Sequence, residues 1–100
     1  MHHLDRLIAD ATTDAYNHDE QVGGFLTCLE EHVALPFTTT VLGATVSVTG
    51  FDADDEGRIA AECRRGKLSQ RIAVTALPLP TPPPAGHEWI AAYRHWCKGH

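Results

Sequence analysis

The hydrophobic period of this chain changes at Pro36, and the change separates two amino-terminal helical stripes from the sheet that follows. Before it, Leu4, Leu7, Ile8, Ala11 and Ala15 fall on one stripe of a 3.6-residue helix, which predicts a helix over 3–16. A second stripe, Val22, Phe25, Leu26, Leu29 and Val33, follows Asn17, a good N-cap with Glu20 three positions on, and predicts a helix over 18–34. After Pro36 the period is two. Residues 37–42 and 44–49 are rich in β-branched side chains, and residues 58–63 and 68–77 complete a four-stranded antiparallel meander over 37–77. Its turns centre near Gly43, Asp54 and Gly66, and its inward set is Val41, Val46, Val48, Ile59, Ile72 and Val74. Prolines 78, 80, 82, 83 and 84 then forbid regular pairing, giving an extended arm over 78–86. Trp89, Tyr93 and Trp96 share one face of a closing helix over 87–98 that packs its aromatics on the sheet. The expected fold is one α+β domain over 1–100: N-terminal helices within 3–34, a meander curled as an SH3-like partial barrel, and a C-terminal helix.

Eight basic against thirteen acidic side chains leave a net charge of −5, which repels a phosphate backbone and argues against a nucleic-acid partner. No apolar run approaches the ~20 residues of a membrane span, so the expectation is a cytoplasmic protein without a membrane partner. The three cysteines, Cys28, Cys63 and Cys97, form no CxxC pair and suggest neither a disulfide framework nor a zinc ribbon. Cys28 and His32 lie four apart on the second helix, but two ligands do not close a tetrahedral site, and Cys28 reads as a core thiol. Met1-His2-His3 offers only the copper or nickel chelation of a free terminus. His18, His87, His95 and His100 are expected at the surface. Ser47 and Ser69 lie within strand patterns with no nucleophile elbow, and no Gly-rich phosphate loop exists, so the chain does not read as an enzyme.

The sharpest chemical feature is Asp52-Ala53-Asp54-Asp55-Glu56-Gly57, with four carboxylates in five residues. Their mutual repulsion would be relieved by a hard divalent cation, and calcium, which takes six to eight oxygen ligands, suits them best. Asp52, Asp54 and Glu56 imitate the first ligand positions of an EF-hand, but the position that should supply the bidentate carboxylate is Cys63, and the flanks read as strands. An EF-hand is excluded. A solvated acidic turn accounts for the same residues, and the chain would then be a protein–protein interaction module that engages its partner through helices or the proline arm.

Three stretches carry a resemblance: Glu20 to Phe37 (EQVGGFLTCLEEHVALPF), Val46 to Phe51 (VSVTGF) with the acidic run behind it, and the closing Trp89 to Trp96. Together they resemble the small calcium-binding protein family typified by the cyanobacterial heterocyst calcium-binding protein. The resemblance covers residues 20–97 and implies a non-catalytic protein that binds calcium through clustered surface carboxylates, here Asp52, Asp54, Asp55 and Glu56. The connection at Gly43 is shorter than in that family and the segment after the fourth strand is proline-rich. Both changes remove ligands, so the implied calcium affinity is weak, roughly 10⁻⁴ to 10⁻³ M.

Overall fold

The computed structural model describes residues 3–99. Met1, His2 and His100, and with them the amino-terminal chelate, lie outside the described residues. The chain runs α1 (His3–Ala11), α2 (His18–His32), β1 (Phe37–Val41), β2 (Ala44–Ala53), β3 (Ile59–Arg65), β4 (Leu68–Ala73), a 3₁₀ turn (Val74–Ala76) and α3 (His87–Lys98). The fold class is α+β, with the sheet in meander order β1-β2-β3-β4 and antiparallel throughout. The sheet stays open, with β1 and β4 as its edges, so the expected barrel is only partial curling.

α1 ends at Ala11, five residues before the expected end. Thr12 and Thr13 turn their hydroxyls back onto the carbonyls of Ile8 and Ala9, each at 2.8 Å, and Asp14 takes a left-handed φ of 61°. Threonine hydroxyls that satisfy terminal carbonyls in this way favour a turn over another helical turn. α2 is capped as expected: Asn17 Oδ1 accepts from the Glu20 amide at 2.9 Å. The reciprocal bond goes one residue further out, from the Tyr16 amide to Glu20 Oε1 at 3.0 Å. The helix stops at His32 because Val33 is already extended (φ −80°, ψ 124°).

The core lies between the helices and one face of the sheet. Phe25, Leu29, Val48, Ala61, Val74, Ile90 and Ala92 are fully buried, with Ile59, Leu77, Tyr93 and Trp96 nearly so. Of the expected inward set, Val48, Ile59 and Val74 are buried, whereas Val41, Val46 and Ile72 are only half-buried; Val41 and Ile72 lie on the two edge strands. The fourth strand also ends early, at Ala73, so Val74 reaches the core from the 3₁₀ turn. The proline arm returns across the inner side of β1, where Thr39 Oγ1 donates to the Pro78 carbonyl at 2.7 Å. Arg94 of α3 holds the chain before the arm, with Nε donating to Val74 O at 2.9 Å and Nη2 to Leu77 O.

One irregularity decides the chemistry of the second hairpin. β2 pairs Val48 with Cys63 but Gly50 with Glu62, a bulge at Thr49. An extra residue in one strand inverts the alternation beyond it. Val48 and Phe51 therefore both face the core, and Asp52 is turned to the outer face.

Candidate metal centre

The acidic run spans the end of β2 and the loop before β3. Asp52 lies in the strand, opposite Ala60, and its Oδ2 accepts from Arg71 Nη2 of β4 at 2.6 Å, reaching diagonally across β3. Arg71 also stands 4.0 Å from Glu62. Asp54 builds the turn. Its Oδ1 accepts from the amides of Glu56 at 2.9 Å and Arg58 at 3.0 Å, while its own amide donates to Arg58 O at 2.8 Å. Gly57 closes the loop at φ 75°, in the left-handed region that glycine enters without strain. Asp55 and Glu56 point to solvent. Glu56 meets Arg58 at 3.6 Å with both side chains 72% exposed, an ion pair worth little in water.

The loop is held from behind by two residues whose part in it no local sequence pattern signals, His18 and Tyr93. His18, the first residue of α2, stacks on Trp96 with ring centroids 5.4 Å apart, and its Nε2 lies 3.3 Å from Gly57 O. His18 is exposed, as expected, and is in addition docked between α3 and the loop. Tyr93 OH accepts from the Ile59 amide at 2.9 Å, pinning the first residue of β3 to α3. Burial pushes the Tyr93 hydroxyl up to about 12, with Cys97 and Asp54 adding to the rise and the Ile59 bond opposing it. A cavity of about 430 Å³ opens beside these groups, lined among others by His18, Gly57, Tyr93 and Trp96. Neither docking leaves a local sequence signal, since His18 and Gly57 are 39 positions apart and Ile59 and Tyr93 are 34 apart.

The fold that carries this loop recurs in solved structures. The crystal structure of Anabaena CcbP matches with a TM-score of 0.71 at 21% identity, over 94% of this chain and 88% of that one. The chain has the fold of CcbP. A structure described as a calcium binding protein in the calcium-binding form matches with a TM-score of 0.69 at 19% identity, over 100% of this chain and 98% of that one. The resemblance read from the three sequence stretches therefore holds at the level of the fold. No protein-family model and no curated protein matches the sequence.

In this CcbP fold the four carboxylates share one hairpin end but not one coordination shell. Among the described residues, no group of three or more His, Cys, Asp or Glu side chains is arranged to hold a metal ion. Asp52 is engaged by Arg71 and Asp54 by backbone amides, which leaves Asp55 and Glu56, the latter held only by its exposed pair with Arg58, able to turn. The donors are hard oxygens on an open loop, which suits calcium with water completing its shell, and does not suit a soft transition metal. Cys28 and His32 do not form a second centre. His32 stacks on Trp89 at 4.8 Å, nearly parallel, and burial together with Glu31 and Asp10 pushes the half-buried Cys28 thiol up, away from the thiolate that a metal needs. Cys28, Cys63 and Cys97 are all free.

Proposed function

We propose that this chain is a cytoplasmic, non-catalytic calcium-binding protein that holds the ion weakly through Asp52, Asp54, Asp55 and Glu56, without an EF-hand. The observation that carries the reading is the end-to-end superposition on a calcium binding protein in its calcium-binding form, with both chains covered almost completely. Three free thiols agree with a reducing compartment. With Asp54 committed to the turn and Asp52 to Arg71, the expected dissociation constant is roughly 10⁻⁴ to 10⁻³ M.

Calcium titration followed by amide NMR is expected to move residues 51–58. At a concentration ten times Kd the bound ion stabilises the fold by about 1.4 kcal/mol, a melting shift of roughly 5 to 10 °C. The quadruple change of Asp52, Asp54 and Asp55 to Asn and Glu56 to Gln should abolish both responses. Equal shifts of wild type and quadruple variant, or equal effects of calcium and magnesium, would reduce the effect to ionic screening.

The Asp52–Arg71 pair adds a sharper expectation. Arg71 occupies the oxygen that a cation would use, so Arg71→Gln should tighten calcium binding several-fold by releasing Asp52 and removing a nearby positive charge. An unchanged or weakened affinity in this variant would remove Asp52 from the ligand set.

One observation favours a second reading. A carboxylate that accepts two amides of its own loop, as Asp54 does, is sufficient to explain an acidic turn without any ion. If calcium leaves residues 51–58 unmoved, the chain is a protein–protein interaction module and the acidic turn is structural.

A further inference from the structure

Among the described residues β4 has only β3 as a hydrogen-bonded neighbour, and its other edge is open. The opposite sheet edge is different, because the arm is fastened beside β1 by the Thr39 bond to Pro78. Leu68, Ser69, Gln70 and Arg71 are all exposed, and Leu68 is a large apolar residue at 74% exposure. Register with the buried Ala61 and Cys63 places Ile72 and Gln70 on the inner face of the sheet, and Leu68 with them. Ser69, Arg71 and Ala73 therefore face outward. An open six-residue edge carrying an exposed leucine is a template for another strand.

We propose that β4 pairs antiparallel with β4 of a second copy of this chain, across a two-fold axis at Gln70, to make one continuous eight-stranded sheet. Residues facing each other across an antiparallel pair must lie on the same face, which leaves few symmetric registers. A register centred on Arg71 sets two guanidinium groups against each other on the axis. One centred on Ser69 sets Lys67 against Arg71 twice. Like charges directly opposite are unfavourable, so both are disfavoured. The register centred on Gln70 avoids this. It sets Leu68 of each copy against Ile72 of the other, covering the exposed leucine twice, and sets Gln70 against its own mate, where the two amides can both donate and accept. Arg71 then faces Ser69, keeps its bond to Asp52 and stays within 4.0 Å of Glu62.

The charge distribution agrees. Arg64, Arg65 and Lys67 crowd one end of the sheet, whereas Asp52, Asp54, Asp55 and Glu56 crowd the other. β3 separates these ends by about 20 Å, well beyond a Debye length of about 8 Å, so each acts as a separate patch. Antiparallel pairing sets the basic end of one copy alongside the acidic end of the other and keeps like ends apart.

Sedimentation velocity of the full chain from about 5 µM to 1 mM is the test. Edge pairing alone buries little area, so the dimer is expected to dissociate with a constant on the order of 10 to 100 µM. Leu68→Lys should raise that constant at least about tenfold, while Leu42→Lys, at the exposed tip of the β1–β2 turn, should leave it unchanged. Gln70→Glu, which puts two carboxylates on the axis, should weaken the dimer independently. The amides of 69–73 that point away from β3 should gain protection from hydrogen exchange as concentration rises. A monomer throughout the range overturns the proposal. So does a dimer that survives both Leu68→Lys and Gln70→Glu, or one that Leu42→Lys breaks, since either outcome places the contact elsewhere.

Discussion

Gly24→Ala is expected to lower the melting temperature by roughly 10 to 25 °C, while Gly23→Ala, one position earlier on the same helix, should raise it by roughly 4 to 8 °C. A Cβ on Gly24 would fall inside contact distance of the Ala11 carbonyl oxygen, which is backbone and cannot rotate away. The two helices would have to separate, at a cost of about 3 kcal/mol. A Cβ on Gly23 meets nothing within 4 Å. There, alanine restores the helix propensity that glycine lacks, about 1 kcal/mol. Thermal melts of the two single variants check the pair: a Gly24→Ala variant that keeps its stability would mean that the α1–α2 crossing is looser than the contact at Gly24 implies, and a destabilised Gly23→Ala would mean that position 23 is not open.

The second large effect is alkaline and centres on Tyr93. Its hydroxyl pKa rises from 10 in the unfolded chain to about 12 in the fold, so the folded state binds the proton more tightly. That contribution is complete below pH 10 and is lost as pH rises through 12, amounting to roughly 2 to 3 kcal/mol. Burial also raises the thiols of Cys28 and Cys63 above their usual 9.0, so the same loss begins near pH 9 at these two groups. Tyr93→Phe removes the steep part of the decline between pH 10 and 12. At neutral pH the same variant leaves the buried Ile59 amide without its acceptor, which costs about 1 to 3 kcal/mol and loosens the start of β3 beside the acidic loop. Urea unfolding of wild type and Tyr93→Phe at pH 7, 9 and 11 separates the two effects. A parallel decline in both proteins would assign the alkaline loss to the thiols alone.

Several elements were legible because their signals are local. Asn17 followed by Glu20 marks the start of α2 whatever surrounds it, and the cap is formed at 2.9 Å. Gly43 and Gly66 mark the hairpin turns because both adopt positive φ, 80° and 60°, that other residues enter only under strain. Residues 59–65 form a strand despite the helix propensity of Ala60, Ala61 and Glu62, because pairing with β2 and β4 on both sides outweighs an intrinsic preference of under 1 kcal/mol per residue. The end of α1 was misplaced for the opposite reason: the apolar stripe continues to Ala15, but two threonine hydroxyls intercept the carbonyls that another turn would use.

For the acidic loop, the sequence alone puts four carboxylates at one hairpin end, since a run this short cannot separate them. Which way each carboxylate points depends on contacts far along the chain. The bulge at Thr49 turns Asp52 outward, against the alternation that starts at Val48, and only there can it meet Arg71, nineteen positions on. His18 and Tyr93 reach the loop from two different helices. Sequence periodicity reports which face of an isolated element is apolar. It carries nothing about a register shift, or about which polar groups tertiary packing will bring within hydrogen-bond distance. The class of fold and the chemical type of the loop were therefore set by the residues themselves, whereas the charge available to a cation at that loop was decided by the packing of α2, β4 and α3 around it.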